Sequence, residues 1–536
     1  MKVSHYLLLF MLGLGTALIV AVFVRSPGYM DADYYYAGGR RLVSGEGFSE
    51  MILWNYLDDP SGLPHPSHGY WMPLTSIIVA AGMKILGDLS FSAGRTGFIL
   101  IAGLLPPVTA ALAYSFRQRR FDAIFAGLIA VFSGFYAVYL VTTDAFGIYA
   151  LLGGVIMLIL GWVYGNPDRK IIGYLSIGLL TGMMYLTRAD GAVWLLVILG
   201  SRLAAWIAAQ RKTGDGAQVK DQVNLRGLIV EVAALCSGFI VVVSVWLARN
   251  FQLYGSVFTP GGWRVLWLTE YDELFMYPAA GLNIAHWLNS GWMNMLQARW
   301  WALGQNLQTT LAVQGTIILL PLILTGMWLY RHDSRVQVGA IIWLATWLLM
   351  SLALPFVGAR GGFFHAGAAL QPLFWAMVPI GFERFIQWGV KSRRWQSHKA
   401  RRGFGAILLA SVCALTAIVT VTRVTGPHLT DLRWGQSDRQ YARLNDQLLA
   451  EGMSLTEVVM VNNPPGYYAA TERAAIVIPY GDVKTLLKAA QRYQAKYVIL
   501  ESNHPQPLDS LYKNPGDHIG LNYLATFEDA HIFEIE

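Results

Sequence analysis

The chain is expected to be a polytopic α-helical membrane protein of about eleven transmembrane helices, with interfacial helices in its external loops and a small external C-terminal α/β domain. Three observations carry that expectation. Of the 536 residues, 55% are hydrophobic and 14% charged, with a mean hydropathy of +0.42, well outside the range of soluble domains. Apolar windows of about 20 residues, enough to cross roughly 30 Å of hydrocarbon, recur along most of the chain. Beyond residue 425 they give way to short β-type runs.

The spans read as 6–24, 96–116, 121–141, 145–164, 171–187, 191–209, 228–247, 311–330, 336–356, 364–388 and 403–424. The first is long for a signal-peptide core, and "VAVFVRSPG" offers no small-x-small cleavage site, so it reads as an uncleaved span. The clusters "RQRR" (117–120), "NPDRK" (166–170), "RKTGDGAQVKDQVNLR" (211–226), "RHDSR" (331–335) and "KSRRWQSHKARR" (391–402) all fall on one side. The positive-inside rule makes that side cytoplasmic, with the amino terminus inside and the C-terminal domain outside. Residues 74–87 are apolar but too short to cross and contain Lys84. Counting them as a span would turn the later clusters outward, so an interfacial or re-entrant helix is expected.

Two long external loops result, 25–95 and 248–310, the second rich in tryptophan and tyrosine that suit helices in the headgroup layer. Residues 1–424 form the membrane domain and 425–536 the outer one. In the latter, "EVVMVNN", "AAIVIPY", "KYVILES" and "AHIFEI" read as strands and "DVKTLLKAAQRYQ" as a helix. "NNPPGYYAATERAA" (462–475) reads as a turn-rich loop between strands. No catalytic set is visible there.

The net charge of +7 resides in clusters between apolar segments and not along one face, which argues for topology signals and against a nucleic-acid partner. Cys236 and Cys413 lie inside apolar spans, so neither a disulfide framework nor a zinc site is indicated.

The residues able to carry chemistry gather at the external ends of spans. Asp31 and Asp33 follow the first span by about seven residues. A half-dry carboxylate there has a raised pKa and becomes a better base; alternatively, both are ordinary interfacial acids. Arg360 in "VGARGGFFH" and Arg188 in "YLTRADG" offer the forked donors that phosphate oxygens suit. Their plain readings are a snorkelling arginine and a local ion pair with Asp190. Asp144 in "VTTDAFG" is either a helix cap or a partner of the loop acids. His65, His68 and His365 do not make a zinc site by spacing, since the H-x-x-H pair lacks a nearby third ligand. His68 either orients the first loop or contacts substrate, with His365 a further contact. Tyr35 and its neighbours, with the tryptophans at 71, 263, 267, 292, 300 and 301, either stack on sugars and line a lipid-tail groove or form an aromatic belt.

Laid out as D-x-x-Y-Y-x-x-x-(small)-x-x-L-x-x-G-x-G-F, residues 31–48 resemble the first external loop of the GT-C superfamily of membrane glycosyltransferases, of the protein mannosyltransferase and aminoarabinose transferase type. Asp31 takes the position of that family's loop acid, and Leu42, Gly45, Gly47 and Phe48 match the tail of the motif. "HGYWMPL", "YLTRADG", "LARNFQLYGSVFTPGG" and "GARGGFFHAGAALQPLFWA" resemble later family segments, covering most of the first 380 residues. Ala32 stands where the commoner pattern has a second acid, with Asp33 the nearest companion.

The resemblance implies inverting transfer of a sugar from a polyprenyl-phosphate donor to a lipid, glycan or protein acceptor on the non-cytoplasmic face of a plasma (inner) membrane. Asp31 and Asp33 would be catalytic. Arg360, Arg188, His68, His365, Asp144 and Tyr35 would bind substrate, and membrane lipids would surround the chain. A divalent cation such as Mg²⁺ or Mn²⁺ stays open, with Asp31 and Asp144 its ligands if it takes part. The alternatives are a transporter or flippase of lipid-linked substrates, or a non-catalytic scaffold. Against transport, the ionisable residues cluster at external span ends and not mid-span.

Overall fold

A computed structural model describes residues 1–213, 225–427, 432–454 and 456–536. The expected class is what it shows: a multi-pass helical membrane protein with a small C-terminal sheet. Among the described residues, nine helices are long and apolar enough to cross a membrane. A helix satisfies its backbone polar groups internally, as a hydrocarbon environment demands. The most buried of them is the run Pro355–Arg393. Most of the basic cluster expected at 211–226 lies outside the described residues.

Two of the eleven expected spans are broken and account for the difference in number. Segment 121–141 is a helix Arg120–Phe132 followed by 3-10 turns Gly134–Tyr136 and Tyr139–Val141. Segment 311–330 is a π-turn Thr310–Gln314 and a ten-residue helix Leu320–Leu329. The breaks face each other: a Cβ placed on Gly134, whose φ is +57°, would lie 3.1 Å from Thr316 Cγ2. Interrupted backbone at membrane depth is tolerated where protein surrounds it. Elsewhere small residues let helices touch along their backbones. Helices Lys170–Thr187 and Leu225–Tyr254 meet at Gly178 and Gly238, where any Cβ would collide with a carbonyl of the other helix.

Segment 74–87 is the helix Leu74–Leu86, too short for a crossing. It packs on the helix Met30–Val43 of the first loop, where a Cβ on Gly39 would strike Val79. In the second loop the helix Trp292–Thr309 leaves Trp292 and Trp300 exposed.

The C-terminal sheet has six strands in the order Ile52–Leu53, Ala475–Val477, Val458–Val461, Ala495–Leu500, Ala530–Ile535 and Leu521–Phe527. The first four are parallel and the last two form an antiparallel hairpin edge. The edge strand Ile52–Leu53 belongs to the first loop, so the sheet crosses the boundary expected at 425. Residues 462–475 also differ from expectation. Asn463 accepts from Gly466 N, and Pro464 and Pro465 start a helix Pro464–Thr471 instead of a plain turn, a favourable cap and first turn. That helix packs against Met30–Val43.

Candidate active site

The helix Met30–Val43 mounts the loop acids. Asp31 and Asp33 lie in its first turn and Arg40 and Arg41 in its last, each charge suited to the helix dipole at its end. Gly45 and Gly47, with φ of +84° and +64° and open space around them, supply the left-handed turn that ends it. Arg41 then fastens the returning chain through Ser49 O and Oγ, both at 2.9 Å.

Asp31 opens into a cavity of about 690 Å³. Arg188, Asp190, Arg360 and His365 line it together with Asp31; Tyr35, Trp54, Tyr70, Trp71 and Tyr271 supply aromatic walls. Trp54 and Trp71 stack with ring centroids 4.0 Å apart. Arg423 and Arg433 line another stretch of the wall, beside Tyr139 and Trp434. Four guanidinium groups thus share a cavity with two carboxylates, a field suited to an anionic ligand.

The arginines are held differently. Arg188 Nε lies 3.1 Å from Asp190 Oδ1, which also accepts from Tyr149 OH at 3.2 Å. The expected local pair therefore exists and still borders the cavity. Arg360 is exposed and stands 4.9 Å from the Tyr271 ring centre, with no ion-pair partner among the described residues. Its segment is broken by Gly361, whose φ of +141° is out of reach for most side chains.

Behind Asp31, Asp144 is fully buried and accepts from Tyr29 OH at 2.5 Å and Ala145 N at 2.5 Å. His365 Nε2 lies 3.0 Å from Asp144 Oδ2 and 3.6 Å from Asp31 Oδ2, while Nδ1 faces Gly361 O at 2.9 Å. Both ring nitrogens thus face acceptors. Donor atoms of Asp31, Asp144 and His365 all lie within 4.8 Å of one another, a set that fits a divalent cation. Burial pushes the Asp31 carboxyl up to about 6, with His365 and Arg188 pulling against it and Asp144 adding to it. For Asp144 burial also acts upward, but His365 and the donated hydrogen bonds outweigh it and hold the carboxyl below its ordinary value.

Three of the expected site residues do not line the cavity. Asp33 does not reach the cavity wall: two helical residues from Asp31, it points to the other side of the helix. It has no exposed surface and meets Asn463 Nδ2 at 3.4 Å. Burial and the charge of Asp438 push it well above the usual carboxylate range. His68 is likewise away from the wall. Its ring bridges Ser67 Oγ at 2.7 Å and Ser76 Oγ at 2.9 Å, and its N–H donates to Tyr34 OH at 2.7 Å. Burial, with Arg249 adding to it, lowers its pKa to about 3, so it is a neutral brace of the loop. Asp144 touches Asp31's partner His365 and not the cavity itself.

The three consecutive tyrosines have separate tasks: Tyr34 braces His68, Tyr35 lines the cavity, and Tyr36 OH donates to Leu89 O at 3.1 Å. Sequence reasoning missed Trp54, Tyr70, Tyr271, Arg423 and Arg433. The available signal was an ionisable residue, Arg423, inside the C-terminal end of an apolar span.

No protein-family model and no curated protein matches this sequence. Solved structures do. The chain is similar to ArnT from Cupriavidus metallidurans bound to undecaprenyl phosphate, with 13% identity, a TM-score of 0.53, and 99% of this chain covered against 98% of that one. It is also similar to the archaeal oligosaccharyltransferase AglB from Archaeoglobus fulgidus in complex with an inhibitory peptide and a dolichol-phosphate. There the identity is 12% and the TM-score 0.54, with 92% of this chain and 69% of that one covered. At such identities what is shared is the fold.

Proposed function

Taking the GT-C fold of this chain as premise, we propose that it is an integral membrane glycosyltransferase that passes a sugar from a polyprenyl-phosphate donor to a lipid, glycan or protein acceptor. The carrying observation is that Asp31, Arg188 and Arg360 line one aromatic-walled cavity. In this reading Asp31 takes the proton of an acceptor hydroxyl as its oxygen bonds to the anomeric carbon. The bond from that carbon to the phosphate oxygen breaks, and the configuration inverts. Arg360, free of ion pairs among the described residues, and Arg188 meet the charge left on the polyprenyl phosphate. Trp71, backed by the stacked Trp54, borders the cavity and supplies aromatic contact for the sugar ring. His365, fixed between Gly361 O and Asp144, sets the field at Asp31.

Where a divalent cation of the Mg²⁺ or Mn²⁺ kind takes part, Asp31, Asp144 and His365 would hold it, and it would add positive charge beside the donor phosphate. The catalytic face is assigned to the outside of a plasma (inner) membrane, with the amino terminus in the cytoplasm, on the distribution of basic clusters. Transport is the less favoured reading, since the charged groups gather around one cavity at the ends of spans and not mid-span.

The test is reconstitution in lipid nanodiscs with undecaprenyl-phosphate sugars, guided by mass spectrometry of the lipid-linked sugars that accumulate in a deletion strain. Release of undecaprenyl phosphate with a glycosylated acceptor is expected, and Asp31→Asn should abolish it. Movement of intact donor across the bilayer without cleavage would sink the enzymatic reading. Release unaffected by Asp31→Asn would sink the assignment of the base.

A further inference from the structure

Fifteen buried side-chain nitrogen and oxygen atoms lack a hydrogen-bond partner among the described residues, and four of them belong to one junction: Ser26 Oγ, Asp33 Oδ1 and both carboxylate oxygens of Asp438. An unpartnered buried carboxylate oxygen is costly, and two such groups together cost more. The three residues come from three segments. Ser26 lies in the link after the first span, Asp33 on the cavity-averted side of Met30–Val43, and Asp438 in the first turn of the C-terminal helix Gln436–Ala450.

The backbone at Gly435 brings Ser26 beside Asp438, and Gly28, two residues from Ser26, packs on Trp434 next to it. A Cβ on Gly435 would strike Ser26 Oγ and lie 3.5 Å from Asp438 Oδ2, and one on Gly466 would lie 3.1 Å from Asp33 Oδ2. Trp434 Nε1 donates to Ser26 O at 2.8 Å, tying the link to the C-terminal segment. Among charged neighbours, Asp438 acts most strongly on Asp33. The adjacent cation, Arg439, donates to the carbonyls of Trp434 and Leu432. Asn463 gives Asp33 one long bond, through Oδ2; the Gly28 N–H also approaches Asp33 and the Ser26 hydroxyl approaches Asp438, yet Asp33 Oδ1, Ser26 Oγ and both Asp438 oxygens complete no hydrogen bond.

All the unmatched atoms are oxygens, two carboxylates and a hydroxyl, with no imidazole or thiolate among them. Such a set suits a hard divalent cation with water completing its shell. Ca²⁺, which accepts irregular geometry and 6–8 ligands, fits better than Mg²⁺, which demands a near-ideal octahedron. We propose that Ser26, Asp33 and Asp438 form a structural Ca²⁺ site that clamps the loop helix carrying Asp31 to the C-terminal domain. It is distinct from the Asp31, Asp144 and His365 group, and its existence does not depend on the enzymatic reading above.

The test uses the full chain in nanodiscs, stripped with chelator and titrated with CaCl₂ and, separately, MgCl₂, with thermal unfolding and radioactive Ca²⁺ binding as readouts. Ca²⁺ is expected to bind at this site and to raise Tm by about 3 °C at a hundredfold excess over Kd, with a smaller shift from Mg²⁺. Asp438→Asn should lose the Ca²⁺ shift without a lower metal-free Tm, because the carboxylate repulsion is gone; Asp31→Asn should keep the shift. If Asp438→Asn fails to fold, Ser26→Ala, which keeps both carboxylates, should weaken Ca²⁺ binding severalfold. No Ca²⁺ shift in the unsubstituted chain, an undiminished shift in Asp438→Asn or in Ser26→Ala, or its loss in Asp31→Asn would each overturn the proposal.

Discussion

The two sides of the helix Met30–Val43 carry the same functional group to opposite ends. On the cavity side Asp31 keeps 27% of its side chain accessible and faces arginines and a histidine. On the domain side Asp33 has no exposure and faces a second carboxylate and an asparagine. Burial raises both carboxyls; what sets them apart is the open space and the cations that lie beside Asp31 alone.

The sharpest way to break that contrast is to neutralise each acid in turn. Asp31→Asn is expected to lower kcat by about 10³-fold with Tm unchanged. Asp33→Asn should stay within about fivefold of wild-type transfer, the scale of a positional disturbance without loss of the base. Comparable losses from both, in a donor-release assay with a parallel melting curve, would erase the distinction.

Next in size is the cationic half of the cavity. Arg360→Gln should cost about 10²-fold in kcat, as removal of one donor to a developing anion does. Arg423→Gln is not placed beside the reacting atoms and should act mainly on KM. Steady-state kinetics with purified donor separate the two. The acid limb of the pH profile gives a third handle. With the Asp31 carboxyl raised to about 6, its base form is available above that value, so kcat/KM should fall tenfold per pH unit below about pH 6. A limb near pH 4 would place the base in open water.

Smaller still, Trp71→Ala should raise KM for the donor by about tenfold through loss of stacking area. Least of all, Arg40→Ala breaks a 2.6 Å pair to Glu472 whose side chains are 19% and 66% exposed. It should cost no more than about 0.5 kcal/mol in chemical denaturation.

The membrane helices were legible because length and apolarity alone define them, and the C-terminal strands because their runs are short, apolar and bounded by turn formers. Asp31 was legible through the spacing of its loop. The direction of Asp33 was not: two residues apart point the same way in a strand and to opposite sides in a helix, and this stretch has no strong apolar period. The break at Thr316 and Ile317 had a local mark in Pro321, which cannot donate to the carbonyl of Ile317 four residues before it, whereas the break at Ser133 and Gly134 lies in apolar sequence marked only by the glycine. Arg423 was hidden because the end of a span and a ligand wall look alike in one dimension.

The pairing of Ile52 and Leu53 with Ala475 and Ile476 has a consequence for how the chain comes into being. A ribosome has emitted the first of these partners more than four hundred residues before the second. Until then the first loop's strand has no partner to pair with. A polypeptide halted at residue 424 would be inserted yet inert, and grafting a foreign tail onto this membrane domain would fail unless it brought a matching sheet edge.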